Sequence, residues 1–360
     1  MKFSLYFKMH NLKIWSYLSI PWLVFTLTFF IIFFLLAFLV EIDSSYLSKN
    51  YLNKLFLNTV ILSFGSAIFS AIIAVPLAIL VTFYKFPGHK FFSWSLSLSI
   101  AFPAYVYAFI YVGIFEYASP ISEYLRNLNI MLPQIKNIYG ASVIMSMALF
   151  PYIFLLTKAH LRSVGIKSFK AAKSLGDNNI TAIRKVIIPS LWPTIIAGMA
   201  LVVFETIADF GGVSTLRIET FTVGIYDAWF GYQSYFSATR LAGYLLIFVF
   251  LIMFLAKYFG EKSSNVASKT AENFQRIEMS PIVGLGVFFF CSFVFIIVFC
   301  LPTTQLIIWN LSDSGSNILS NLQLLINSSI VGLLASVITV FFAIALALSY
   351  KHSNILKSSI

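Results

Sequence analysis

Two acidic residues stand out in a segment that is otherwise apolar. Glu205 and Asp209, in the run Phe204-Glu205-Thr206-Ile207-Ala208-Asp209-Phe210-Gly211-Gly212, are spaced i, i+4, so a helix through them carries both on one face. Ionisable groups inside apolar segments are costly and usually face a cavity or a partner. One reading has the pair lining the outer gate of a path for a cationic solute. The other has Asp209 capping a helix break before Gly211-Gly212, with Glu205 paired to a neighbouring helix.

The other reactive residue types are scattered. Cys291 and Cys300 fall on one predicted helix, on opposite sides of it, so no disulfide joins them there. His10, His89, His160 and His352 show no metal-ligand spacing. The sequence holds no phosphate-binding loop, nucleophile elbow or dinucleotide fingerprint. No catalytic residue, no metal site and no cofactor bound by the chain itself is therefore expected. The 18 tyrosines suit anchoring at membrane interfaces, and none is assigned as a ligand.

The elements that must position Glu205 and Asp209 follow from composition. Of 360 residues, 59% are hydrophobic and 10% charged, with a mean hydropathy of +0.90. Ordinary soluble domains carry about 25% charged residues. A soluble globule of this size could not hide so much apolar surface, which excludes soluble enzymes, nucleic-acid binders and disordered chains.

Eight segments are long and apolar enough to cross a bilayer, near 21–41, 57–84, 93–117, 138–160, 191–211, 238–258, 280–302 and 327–350. The first has too long an apolar run for a signal peptide and no small-x-small cleavage site, so it reads as a retained helix. With a cytoplasmic N-terminus, the cytoplasmic segments and their flanks hold 18 of the 24 Lys and Arg; the far side holds Lys49, Lys54, Arg126, Lys136, Arg217 and Arg240. The net charge of +11 is then mainly an orientation signal, not a mark of nucleic acid. The expected fold class is an all-α polytopic membrane protein of about eight transmembrane helices.

At an offset of 269, Asn58, Ile61, Ala74, Leu77 and Ala78 recur as Asn327, Ile330, Ala343, Leu346 and Ala347. Parallel duplication is one way transporters are built. The repeat predicts one six-helix half over 1–260, a polar cytoplasmic linker over 261–278, and the first two helices of a second half over 279–360. The second half then reads as cut short at Ile360.

The loop between the fourth and fifth spans, 162–190, is unusually long. Ser168 is expected to N-cap a short helix and Gly176 to end it in the left-handed conformation. Asp177 or Asn178 then caps a second helix, with Ile180, Ile183 and Ile187 as its apolar face. The product is helix, glycine corner, helix: a knob projecting into the cytoplasm.

This loop resembles that of permeases from binding-protein-dependent ABC importers. Their pattern is Glu-Ala-Ala, three residues, Gly, nine residues, Ile-x-Leu-Pro. Here it is met at Ala171, Ala172, Gly176, Val186, Ile188 and Pro189, with Lys170 replacing the usual Glu. The resemblance implies the type I ABC importer permease fold, in the bacterial inner membrane. It also implies that Lys170 to Pro189, Asp177 included, form the coupling helix that docks on an ABC ATPase subunit. ATP would be used by that partner, so the chain would be a transport subunit and not an enzyme. A periplasmic substrate-binding protein, membrane lipid and a homo- or hetero-oligomer of permease chains complete the implied partners.

Residues 204–212, Glu219 to Tyr226 and Trp229-Phe230-Gly231 look like the iron(III) branch of the family, in which two halves are fused. Ferric iron is the expected substrate. Thiamine, phosphonate and polyamine permeases are similar alternatives, and an ion-coupled secondary transporter is the alternative of a different class.

Overall fold

The computed structural model describes residues 24–39, 47–260, 276–312 and 318–358. Lys2, Lys8, Lys13, His10, Asp43, Asp313 and the linker 261–275 with Lys262 lie outside them, as do the side chains of Lys351 and His352. The described residues divide between two compact units, one drawn from Glu41–Trp309 and one from Met1–Val40 with Asn310–Ile360.

The larger unit is built on three long helices: α2 (Lys49–Phe83), α6 (Ile138–His160) and α9 (Ile188–Ala208). The side of α2 turned to the core carries Ser63, Ser66, Ala67, Ser70, Ala74 and Ala78, all buried. Small residues let helix backbones approach closely where no hydrophobic drive separates helix from lipid. Two hydroxyls on this side are returned to the helix's own carbonyls, Ser63 to Thr59 and Ser66 to Leu62, each at 2.7 Å, while Ser70 donates across to the Ser146 carbonyl of α6 at 3.4 Å. Facing them, α6 buries Met145, Phe150, Ile153 and Phe154. Pro76 and Pro151 lie inside α2 and α6 without ending them. A membrane helix tolerates this because neighbouring groups take up the freed carbonyl.

The third predicted span is not one helix. α3 (His89–Ser95) and a 3-10 turn (Leu98–Ala101) meet α4 (Ala104–Phe115) at a bend of 90°. The cause is Pro103: Phe102 before it is extended (φ −96°, ψ 123°), as proline's clash with the preceding residue demands. α4, at 12 residues, is about 18 Å long and too short to cross alone. After α5 (Pro120–Asn127) the chain enters α6, and beyond α9 come two short helices, α10 (Gly211–Thr215) and α11 (Phe221–Tyr226), then α12 (Tyr235–Gly260).

The described residues thus hold six continuous helices long and apolar enough to span, or seven if the bent pair counts as one. A shorter apolar helix, α1 (Val24–Leu39), coincides with the first predicted span. Every predicted span has a counterpart, the third in broken form.

The seventh span runs through α13 (Pro281–Phe295), a π turn (Ile296–Cys300) and α14 (Leu301–Ser312). It belongs, up to Trp309, to the same compact unit as α2–α12. Two features bind this span to what precedes it. Strand β1 (Tyr84–Lys85) pairs in parallel with β2 (Ile277–Glu278), and Lys85 bonds Glu278 at 2.8 Å. That ammonium holds the Glu278 carboxyl below the ordinary carboxylate value. Phe91 and Phe102 also meet Phe295 and Phe299 at centroid distances of 5.2 and 5.8 Å.

In the smaller unit, α15 (Ile318–Ser358) is strongly apolar over Leu322–Ala345, and only 6% of its most apolar window is buried, against 61% in the span containing α6. So apolar a stretch with so little cover is suited to lipid or to another membrane helix.

Candidate functional site: a glycine corner at one end and a carboxylate cavity within the bundle

The 162–190 loop begins differently from its predicted form. α6 does not stop; a π turn (Leu161–Gly165) carries it directly into α7 (Ile166–Ser174). Ser168 therefore lies inside a helix and caps nothing. The reason is packing: Ile166, Phe169 and Ala172 are buried, and the Phe169 ring meets that of Phe83 at 5.0 Å. That anchorage to α2 favours continuing the helix over starting a new one.

The corner itself has the predicted form. Gly176 has φ +94°. The Asp177 N–H donates to the Ala172 carbonyl at 3.2 Å and the Gly176 N–H to that of Lys173 at 3.1 Å. These two bonds are the paired closure of a Schellman motif. The Ala-Ala-x-x-x-Gly spacing thereby acquires a physical meaning. Ala172 receives the longer bond and buries its methyl, and Gly176 four residues on supplies the left-handed turn. A Cβ at Gly176 would meet nothing within 4 Å, so the demand is on backbone conformation, not on space.

Asn178, not Asp177, caps the next helix, α8 (Asn179–Ala182): its Oδ1 accepts from the Thr181 N–H at 2.7 Å. A second π turn (Ile183–Ile187) leads into α9, with Pro189 in its first turn. Ile187 is buried and Ile183 and Val186 partly so, but Ile180 is 76% exposed. The expected apolar face of Ile180, Ile183 and Ile187 is thus shared between two directions. Ile183 and Ile187 turn inward, and Ile180 points out. Leu175 is 88% exposed on the other side of the corner. Lys170, Ala171, Ile188 and Pro189 are also exposed. Leu175 and Ile180 were not singled out in the sequence; an apolar residue beside a glycine corner has no core to enter, and that signal could have found Leu175.

Glu205 and Asp209 do come together, through α9's last turn. The Asp209 N–H donates to the Glu205 carbonyl at 3.0 Å. The Asp209 carboxylate then accepts the Gly212 N–H at 3.3 and 3.2 Å, closing the break before α10. A Cβ on Gly212 would stand 2.4 Å from Asp209 Oδ2, so only glycine lets the carboxylate cap this turn. Glu205 takes a long hydrogen bond from the Tyr152 hydroxyl on α6 at 3.4 Å. Tyr152 is past the midpoint of α6, and Glu205 meets it from the last turn of α9.

Both acids also line a cavity of about 300 Å³, with Phe102, Pro103, Tyr105 and Tyr152. The 90° break at Pro103 forms one wall. Asp209 thus both caps the turn and lines the cavity, while Glu205 lines it and takes a bond from the neighbouring α6. No Lys, Arg or His lines the cavity among the described residues. Its potential therefore favours positive charge.

A bundle of apolar helices with a broken span, a charged cavity and a structured loop at one end defines a multi-pass membrane permease. Residues 74–265 match the family model described as "Binding-protein-dependent transport system inner membrane component". The chain belongs to that family. It is 24% identical over 277 residues to the Fe(3+)-transport system permease protein FbpB 2 of Haemophilus influenzae, covering 75% of this chain and 51% of the relative. The sulfate transport system permease protein CysT of Salmonella typhimurium is 26% identical over 151 residues, 42% of this chain and 54% of the relative. A putative 2-aminoethylphosphonate transport system permease protein PhnU of Salmonella typhimurium is 24% identical over 164 residues, 42% of this chain and 57% of the relative.

The chain thus spans about half the length of the curated relatives it matches. Among solved structures, a bacterial ABC transporter importing the acidic polysaccharide alginate gives a TM-score of 0.51 at 16% identity, covering 70% of this chain and 100% of that one. The same transporter type in complex with an alginate-bound periplasmic protein gives 0.50 at 17%, covering 70% and 99%. These likenesses bear on the fold, which is that of ABC importer permeases.

Proposed function

We propose that the chain is the transmembrane subunit of an ATP-driven importer and carries a cation, with ferric iron as the favoured substrate. The observation that carries the choice is the cavity: two carboxylates, two tyrosines and no basic side chain among its lining residues. Sulfate or a phosphonate entering it would meet like charge in a low-dielectric site, which is strongly unfavourable. Carboxylate and phenol oxygens are hard donors suited to a hard cation. The similarity to an Fe(3+) permease over 75% of the chain points the same way.

In this reading Lys170 to Pro189, including Asp177, form the coupling surface for an ATPase subunit on the cytoplasmic side. Exposed Leu175 and Ile180 supply its apolar contacts. ATP hydrolysis belongs to that partner. A binding protein delivers substrate at the opposite end, and the 18-to-6 distribution of basic residues supports a cytoplasmic N-terminus. Residues 279–360 open a second permease half, in support of which Asn58, Ile61, Ala74, Leu77 and Ala78 recur at an offset of 269 in α15.

The test is uptake of labelled ferric iron and of labelled sulfate by cells expressing the chain with its ATPase. Iron uptake that falls on Glu205→Gln, with sulfate unaffected, supports the reading. Sulfate uptake that depends on the chain overturns it.

A further inference from the structure

Where α6 gives way to the 162–190 loop, two basic side chains meet at one serine and a third bears on them electrostatically. Lys158, in the last turn of α6, donates to the backbone carbonyl of Ser93 in α3. Arg162, one turn further, donates Nη2 to the hydroxyl of the same serine at 3.4 Å. Arg276, just before β2, stands close enough for its charge and that of Arg162 both to bear on the Lys158 ammonium. The Arg276 Nε is buried and has no hydrogen-bond partner. Lys158 also lies 5.4 Å from the Phe154 ring centroid, which places its head against apolar surface.

The ion pairs Lys54–Glu219, Lys85–Glu278 and Lys136–Glu116 all lie away from this cluster. Three like charges in a partly desolvated place repel one another, and a buried guanidinium donor without an acceptor is costly. One anion with several acceptor oxygens relieves both. A phosphate group suits the arrangement best, since it presents oxygens in several directions and matches the guanidinium fork. The cluster lies at the end of a membrane-spanning helix, and basic pockets between such helices hold lipid headgroups.

We propose that Lys158, Arg162 and Arg276 form a binding site for a phosphate group at the coupling-loop end of the bundle. The group is supplied either by the headgroup of an anionic phospholipid or by a free phosphate. The site is separate from the carboxylate cavity and does not depend on which substrate the permease carries.

The experiment uses the full chain in two settings. In nanodiscs of phosphatidylcholine, with or without phosphatidylglycerol, thermal unfolding is followed and retained lipid is counted by native mass spectrometry. In neutral detergent, inorganic phosphate is titrated against chloride at matched ionic strength. Arg276→Gln and Lys158→Gln are compared with wild type, with Arg276→Lys as the variant that keeps the charge and with Lys90→Gln, an exposed lysine on α3, as control.

The site predicts a rise in melting temperature with phosphatidylglycerol, phosphate or both, and a loss of about tenfold in apparent affinity for each neutralising variant. Lys90→Gln responds as wild type. A response to phosphatidylglycerol alone identifies the lipid as source, and a response to phosphate alone identifies the soluble anion. If neither stabilises wild type beyond chloride, or if the neutralising variants respond as wild type does, the proposal is overturned. Should those variants not fold, wild type and Arg276→Lys decide: stabilisation of both by phosphatidylglycerol or phosphate supports the site, and no stabilisation of either beyond chloride contradicts it.

Discussion

The hydroxyl of Tyr107 donates to the carbonyl oxygen of Val298 at 2.5 Å, joining the broken third span to the π turn of the seventh. Tyr111, one turn along α4, reaches the neighbouring Ile297 carbonyl at 2.7 Å. A π turn misaligns backbone acceptors inside an apolar layer, where each unmet carbonyl is expensive. The two tyrosines meet those acceptors at the place where the seventh span changes helix type. The bend at Pro103 is what brings α4 against this stretch, so a proline in one segment and a π turn in another form one joint.

Tyr107→Phe should therefore destabilise the chain by about 1 kcal/mol, the scale of a hydrogen bond between membrane helices. Tyr107→Phe with Tyr111→Phe should lower the melting temperature in detergent further and free the seventh span from α4. Disulfide trapping between cysteines placed at Phe102 and Phe299, whose rings lie 5.8 Å apart, reads the second effect. Unchanged trapping in the double variant would show that the two hydrogen bonds do not hold the joint.

Gly176→Ala asks the corner to hold a Cβ at φ +94°, a conformation that costs an L-residue roughly 1–2 kcal/mol. Because no atom lies within 4 Å of that Cβ, the whole effect is backbone strain. The bundle should stay folded, since the corner is exposed, and proteolysis at the loop should speed up. Gly176→Val should do more of the same, with the bundle's melting temperature little changed.

Gly212→Ala places a Cβ 2.4 Å from Asp209 Oδ2 and must displace the carboxylate from its turn. Uptake should fall for this variant while ATPase association persists, because the loop and the cavity are separate. Asp209→Asn keeps the shape of the cap and removes its charge. A larger loss of uptake in Asp209→Asn than in Gly212→Ala would assign the role of Asp209 to charge in the cavity; the reverse order would assign it to the turn.

Glu205→Gln leaves the long hydrogen bond to Tyr152 available and removes charge from the cavity. Uptake of a cationic substrate should fall by about tenfold, the equivalent of about 1.4 kcal/mol in the rate-limiting step. Glu205→Asp should recover part of it. Equal uptake by all three forms would remove Glu205 from the path.

Much of this was legible in the sequence for definite reasons. Spans declare themselves through uninterrupted apolar length, and α2, α6, α9 and α12 fall where that length predicts. Gly176 was legible because a left-handed residue ending a helix leaves few alternatives to glycine. Asp209 as a cap was legible from the Gly211-Gly212 pair that follows it. Three things were not. The 90° break depends on how far Pro103 deflects the chain, and Pro76 and Pro151, of the same type, deflect theirs without a break. The continuous passage from α6 into α7 depends on Phe169 meeting Phe83, a contact that no local pattern encodes. The outward turn of Ile180 follows from the π turn at Ile183–Ile187, which shifts the helical phase that the i, i+3, i+7 spacing assumes.

The proposed docking of the glycine corner on an ATPase through apolar contacts is checked by co-purification of the ATPase with full-length chain bearing Leu175→Glu and Ile180→Glu. Both side chains are exposed, at 88% and 76%, so the bundle should fold and enter the membrane as wild type does. The account predicts that the ATPase is lost from the double variant and that uptake ceases. Retention of the ATPase at wild-type stoichiometry, with uptake intact, would contradict it.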